Sequence, residues 1–145
     1  MIDIISADFD KQMLEKIENK TKHTLVMLVD DNEIDNYMNE MVIKGALFSE
    51  TVFIYSCGVA AIEFFRNIKE GKFCYNKLLP TYIFVDLNMP IMNGFQFIEE
   101  FNEHYLYLKS DIKIVVLTSS KEDDDLNKAL SYKNVVKFIR KPLTV

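Results

Sequence analysis

The sequence predicts an α/β domain in which five parallel strands alternate with helices. Short, continuous apolar runs alternate along the chain with longer segments whose apolar residues recur at helical spacing, which is the pattern of repeated strand–helix units. The apolar runs show no regular polar alternation, as expected for strands that are covered on both faces of a sheet. With 145 residues, 49% of them hydrophobic and 27% charged, the chain has the size and composition of one folded domain.

The predicted elements follow one another in a regular order. The predicted strands cover residues 24–29, 51–55, 82–85, 112–117 and 135–139. The predicted helices cover residues 32–45, a segment that begins after a cap at Ser56, residues 95–108, and residues 120 to about 132. Pro90 and Gly94 mark residues 87–94 as a loop, and Ser120 with Asp123 resembles a capping box. Right-handed crossovers with one change of winding direction predict the strand order 2-1-3-4-5, with the switch point beside the first strand.

The first predicted helix has an apolar face by spacing. Ile34, Met38, Met41 and Val42 fall on one side of a helix over residues 32–45. We therefore expect these four side chains to pack against the sheet.

Acidic, hydroxyl and basic residues follow four of the strands, at the point where each strand ends. Asp30 and Asp31 follow the first strand, Asp86 the third, Thr118 the fourth and Lys141 the fifth. Because parallel strands present their carboxyl ends at one edge of the sheet, these residues are expected to form one pocket. Three carboxylates, a lysine and a hydroxyl favour a divalent metal ion and phosphoryl chemistry.

Each residue of this pocket has a chemical task. The Asp86 carboxylate can attack a phosphoryl donor and form an aspartyl phosphate. Its neighbours Asp30 and Asp31 repel it unless a cation is present, so Mg²⁺ is the expected cofactor. Lys141 neutralises charge on Asp86 and on the phosphoryl group, while the Thr118 hydroxyl and the Ser119 N–H can donate to phosphoryl oxygens.

Four motifs in this order resemble the receiver domain of two-component response regulators, over residues 24–143. They are Asp30-Asp31, the run from Asp86 to Gly94 (DLNMPIMNG), Thr118-Ser119 and Lys141-Pro142. The resemblance implies a flavodoxin-like fold, Asp86 as phosphoacceptor, a histidine kinase or histidine phosphotransfer protein as partner, and an unknown downstream protein target. It also implies that the main-chain carbonyl of Asn88 binds the metal, and that Thr118 and Phe138 move as a switch. Self-phosphorylation and self-dephosphorylation would be the only chemistry, so the resemblance implies a signalling module rather than an enzyme.

Two other functions remain open at this point. An aspartate-based phosphohydrolase would use a similar nucleophile, but it usually has a second carboxylate two residues later, where this chain has Asn88. A pseudo-receiver would only dock partners, and the intact acidic set argues against it.

Charge and composition exclude several further classes. The net charge of −5 argues against non-specific nucleic-acid binding. No apolar stretch approaches the roughly 18 residues of a membrane span, and the charged N-terminus is unlike a signal segment. Cys57 and Cys74 match no metal or redox spacing and are expected to be free thiols, so we expect a cytoplasmic location.

Both ends of the chain depart from the receiver pattern. Residues 1–23 form an N-terminal extension before the receiver domain at 24–145, and Phe9, Met13 and Ile17 predict an amphipathic helix in it. The chain ends four residues after Lys141, so the closing helix of the fold is expected to be missing. One face of the sheet would then lack a helix, and three explanations are open. The N-terminal helix covers this face, a partner or second copy of the chain covers it, or the sequence is a truncated product. We favour the first explanation.

Overall fold

Five parallel strands form the sheet in the order β2-β1-β3-β4-β5, which confirms the predicted fold. The computed structural model describes residues 22–71 and 78–144. The strands are β1 (His23–Val29), β2 (Ser49–Tyr55), β3 (Tyr82–Val85), β4 (Lys113–Thr118) and β5 (Val135–Arg140). The helices are α1 (Glu33–Gly45), α2 (Gly58–Lys69), α3 (Gly94–His104) and α4 (Asp123–Ser131), with a 3₁₀ turn at Leu106–Leu108.

The sheet separates two hydrophobic clusters of unequal size. Successive strand residues point to opposite faces, so Met27 and Val29 of β1 join the larger cluster while Val26 and Leu28 join the smaller one. The larger cluster is filled by residues of α2 and α3, including Phe65, Phe97 and Phe101, which are fully buried. The smaller cluster receives Ile43 from α1.

The predicted inner face of α1 is wrong for three of its four residues, while Val42 is half-buried. Ile34, Met38 and Met41 are 74%, 55% and 55% exposed. The buried residues of this helix are Asn36, Asn39 and Ile43. Asn36 faces inward because its Nδ2 donates a hydrogen bond of 2.8 Å to the Asp30 carbonyl. The start of α1 therefore packs by polar contact, which apolar spacing does not reveal.

The predicted helix caps at Ser56 and Ser120 are also wrong. The residue that precedes α2 is Cys57 and the residue that precedes α4 is Glu122, and neither makes a side-chain capping bond. A reciprocal capping box instead begins α3, where the Asn93 side chain accepts from the Gln96 N–H and the Gln96 side chain accepts from the Asn93 N–H. This box fixes the end of the loop that follows β3.

An apolar groove of about 430 Å³ opens on the face of the smaller cluster. Side chains of α1 and of three strands line it, among them Val42, Ile43, Phe84, Val115 and Ile139. Within the described part of the chain, residues 141–144 follow β5 without forming a helix. Lys22, the first described residue, also lines the groove.

The helix predicted within residues 1–23 lies outside the described residues, except for its junction at Lys22 and His23. We propose that the N-terminal extension covers the groove, because it joins the fold at Lys22, which lines the groove. Deleting residues 1–20 is expected to expose apolar surface and lower the melting temperature by about 5 °C. Thermal unfolding followed by circular dichroism measures this, with replacement of the polar residues Asp8 and Lys11 by serine as the control. An unchanged melting temperature after deletion would contradict the proposal.

Candidate functional site

Three carboxylates meet at the carboxyl edge of the sheet. Val29 and Val85 are register partners in β1 and β3, so Asp30 and Asp86, the next residues, emerge side by side. Together with Asp31 they offer carboxylate oxygens that all lie within 4.8 Å of one another. Asp30 and Asp86 are 4% and 5% exposed, whereas Asp31 is exposed. Two of the three carboxylates are therefore buried, and the third is open to solvent.

Lys141 reaches into this cluster from the end of β5. Its Nζ lies 2.6 Å from Asp30 Oδ2, 2.7 Å from Asp35 Oδ2 and 3.2 Å from Asp86 Oδ2. The Lys141 N–H donates to the Thr118 carbonyl at 2.8 Å, and the peptide bond to Pro142 is cis. The lysine backbone is thus fixed to the end of β4 while its ammonium lies among three carboxylates.

The pKa values reflect this crowding. Burial raises the pKa of Asp30, although the hydrogen bonds from Lys141 and from the Asn32 N–H oppose the shift. Burial acts in the opposite direction on Lys141, but its hydrogen bonds to Asp30 and Asp35 outweigh burial and raise the pKa of the lysine. Lys141 therefore stays charged at neutral pH.

The two buried carboxylates have the same hydrogen-bonding arrangement. Asp30 Oδ1 accepts from the Asn32 N–H at 3.0 Å, and Asp86 Oδ1 accepts from the Asn88 N–H at 3.3 Å. In both residues the other oxygen, Oδ2, contacts Lys141. The loops after β1 and β3 thereby orient both carboxylates toward one point.

These oxygens form a donor set that suits a hard divalent cation. Mg²⁺ prefers carboxylate and water oxygens, and the cluster combines buried carboxylates with an exposed one that leaves room for water. A single ammonium cannot balance three carboxylates, so a cation would relieve the remaining repulsion. The metal role of the Asn88 carbonyl stays a prediction.

Gly94 closes the loop that follows Asp86. Its N–H donates to the Leu87 carbonyl at 3.0 Å. A Cβ at this position would lie 2.4 Å from the Asp86 carbonyl oxygen and 2.7 Å from the Leu87 Cα. Only glycine lets α3 begin this close to the backbone of Asp86.

Thr118 and Ser119 lie at the same edge, at the end of β4. Thr118 is fully buried, and its Oγ1 accepts from the Ser120 N–H at 3.2 Å. A hydroxyl that accepts one bond still has its own proton to donate. Ser119 is exposed. Their roles as donors to a phosphoryl group stay predictions.

Phe138 lies on β5 and packs, half-buried, against the larger hydrophobic cluster. The Arg140 guanidinium carbon lies 5.8 Å from the centre of its ring. This position of Phe138 fits a core residue and also fits the predicted switch. The switch role of Phe138 therefore stays a prediction.

Asp35 was not among the residues predicted for the site. This residue lies in the first turn of α1, and its carboxylate is as close to Lys141 as that of Asp30. The available signal was its position one helical turn after the acidic pair Asp30-Asp31.

Within residues 22–71 and 78–144, no helix has the length and apolar character needed to cross a membrane.

Several known proteins resemble this chain. A response regulator of Cytophaga hutchinsonii has a TM-score of 0.73 and 30% identity, covering 84% of this chain and 88% of that one. The phosphorylated cyanobacterial phytochrome response regulator RcpA has a TM-score of 0.68 and 28% identity, covering 83% and 81%.

The response regulator Rcp1 of Synechocystis sp. is 29% identical over 105 residues, which are 70% of this chain and 66% of Rcp1. This chain thus spans slightly less than two thirds of that relative. The Mn²⁺-bound structure of Rcp1 has a TM-score of 0.66 and 26% identity, covering 84% of both chains.

The family match covers the sheet and the acidic cluster. The response regulator receiver domain matches residues 26–145, which include β1 from Val26 onward and all the pocket residues. The chain therefore belongs to the response regulator receiver domain family.

Proposed function

We propose that this chain is the phosphoacceptor of a two-component phosphorelay and that Asp86 takes the phosphoryl group. The observation that carries the proposal is the contact of Lys141 Nζ with both Asp30 and Asp86 inside a three-carboxylate cluster. A carboxylate held beside a fixed cation and a potential metal site is suited to receive a phosphoryl group.

The transfer begins with attack of an Asp86 carboxylate oxygen on the phosphorus of a phosphohistidine. The new O–P bond forms as the P–N bond breaks, and the electron pair stays on the imidazole nitrogen, which takes a proton from solvent. Phosphoryl transfer needs positioning and charge stabilisation more than covalent help from the protein. The loop N–H of Asn88 positions Asp86, and Lys141 stabilises the charge on the transferring group.

Asp30, Asp31 and Asp86 would hold a Mg²⁺ ion, with the Asn88 carbonyl as a further proposed ligand. When bound, the ion neutralises carboxylate charge and the negative charge of phosphoryl oxygens. Rcp1 has been crystallised in an Mn²⁺-bound form and RcpA in a phosphorylated form. These relatives support the proposal by similarity alone.

A protein-binding surface would then respond to the phosphoryl group. Thr118 donates its hydroxyl to the group, and Phe138 changes its packing on β5 in consequence. Phe138 lacks the hydroxyl of a tyrosine, so the switch would depend on the position of its ring. The proposed partners are a histidine kinase or histidine phosphotransfer protein and a downstream protein, and a homodimer is a further candidate.

The other two functions lack a supporting observation among the described residues. Asn88 cannot act as the carboxylic acid that an aspartate-based phosphohydrolase uses. A pseudo-receiver has no need of two buried carboxylates that share one ammonium partner.

Incubation with acetyl phosphate or phosphoramidate tests the proposed function directly. We expect Mg²⁺-dependent addition of one phosphoryl group per chain, measured by intact-protein mass spectrometry, and no addition when EDTA removes the metal. Rapid release of phosphate over many turnovers would establish a hydrolase instead. Absence of both labelling and release with Mg²⁺ would identify a pseudo-receiver.

A further inference from the structure

The Lys141 ammonium has three N–H donors and three carboxylate partners, of which only two belong to the acidic cluster. Asp30 and Asp86 are members of the cluster, and Asp35 is not. We propose that Asp35 is a positioning residue that holds Lys141 in place while the other two carboxylates are engaged in the chemistry. This inference rests on the proposed phosphoacceptor function and assigns that site a further residue.

Asp35 has a fixed position relative to the cluster. Its own N–H donates to Asn32 Oδ1 at 3.0 Å, which caps α1. The next residue, Asn36, donates to the Asp30 carbonyl at 2.8 Å. The first turn of α1, which contains Asp35, is therefore held at the end of β1.

Asp35 approaches Lys141 from the solvent side. The Asp35 side chain is 36% exposed, compared with 5% and 6% for Asp30 and Asp86, and the Lys141 side chain is 13% exposed. The ammonium thus lies between the buried carboxylates and Asp35. Asp35 therefore contacts the lysine from a more exposed position than Asp30 and Asp86 do.

The proposed reaction changes the other two partners of Lys141. A cation would share the Asp30 and Asp86 carboxylates, and formation of the acyl phosphate removes the carboxylate charge from Asp86. A lysine held by these two residues alone would lose its anchors during the step in which it must stabilise charge. Asp35 keeps its charge throughout, so it limits how far the ammonium can move.

The first test compares phosphorylation rates at saturating Mg²⁺ with acetyl phosphate as donor. Asp35→Asn is expected to slow labelling about tenfold with little change in the Mg²⁺ dissociation constant measured calorimetrically. Glu33→Gln removes the same charge from the same helical turn, at an exposed position, and is expected to label at the wild-type rate. Asp35→Glu, which keeps the carboxylate, should recover most of the rate.

Equal rates for Asp35→Asn and Glu33→Gln in a protein that labels normally would overturn the inference and leave the proposed function intact. Absence of labelling in the wild type would overturn the proposed function itself. A wild-type rate for Asp35→Asn at saturating Mg²⁺ with a lower rate only at subsaturating Mg²⁺ would make Asp35 an electrostatic contributor to the metal site, which also contradicts the inference.

The second test needs neither metal nor phosphate. A double-mutant cycle in EDTA combines Asp35→Asn with Lys141→Met and follows urea unfolding. Asp35→Asn is expected to destabilise the wild type but to be neutral or stabilising with Lys141→Met, because the carboxylate would then face only other carboxylates. Equal destabilisation in both backgrounds would show that Asp35 does not act through Lys141.

Discussion

Asp86→Asn is expected to abolish labelling by acetyl phosphate, with a loss of at least about a thousandfold. The amide has the shape of the carboxylate but is not a nucleophile toward phosphorus, and no other carboxylate shares its hydrogen bond to the Asn88 N–H in the part of the chain described. Intact-protein mass spectrometry with Mg²⁺ present measures the loss.

The same substitution should leave the fold intact. It removes one charge from a crowded cluster, and Lys141 keeps its contacts with Asp30 and Asp35. We therefore expect a melting temperature equal to or above that of the wild type. Asp31→Asn is the matched control, because it removes the exposed carboxylate and should weaken Mg²⁺ binding while Asp86 still accepts the phosphoryl group. Undiminished labelling of Asp86→Asn would place the acceptor on another residue.

Gly94→Ala is expected to have the largest effect on stability, about 3 kcal/mol of lost unfolding free energy. The new Cβ would lie 2.4 Å from the Asp86 carbonyl oxygen and 2.7 Å from the Leu87 Cα, so backbone atoms must move. At this chain length the loss corresponds to a melting temperature lower by about 10 °C. The displaced Asp86 backbone should also slow labelling of the molecules that remain folded.

Gly45→Ala is the matched control for this substitution. Gly45 is the last residue of α1, and a Cβ there would meet no atom within 4 Å. Alanine is the better helix former, so the control should be neutral or slightly more stable in urea unfolding. Similar destabilisation by both substitutions would mean that the close approach at Gly94 is not the cause.

Strand positions and sheet order were predictable because burial on both faces leaves a strong signal in sequence. The runs that became β1, β3 and β4 are nearly uninterrupted apolar segments, and crossover handedness restricts their order. The gathering of Asp30, Asp86 and Lys141 also followed from the sheet, since all three residues come directly after strands.

The errors arose where polar contacts replace apolar burial. Asn36 turns the inner face of α1 toward the Asp30 carbonyl, which leaves Ile34 and Met38 exposed. Asp35 could not be assigned to the site from sequence, because its partner, Lys141, is 106 residues away. Its local sequence is that of any acidic residue in the first turn of a helix, where a negative charge interacts favourably with the helix dipole. Contacts of this kind depend on the assembled fold rather than on any segment.

The unequal division of the hydrophobic clusters makes α1 more weakly packed than α2 and α3. In the described residues α1 contributes one apolar side chain, Ile43, to a cluster with few buried members, whereas α2 and α3 each contribute several, including large aromatic rings. Local unfolding of α1 therefore costs less free energy than unfolding of α2 or α3. The ion pair between Asp35 and Lys141 ties the beginning of this weakly packed helix to the end of β5. A change in charge at the pocket thus acts on a helix that is easier to release than α2 or α3.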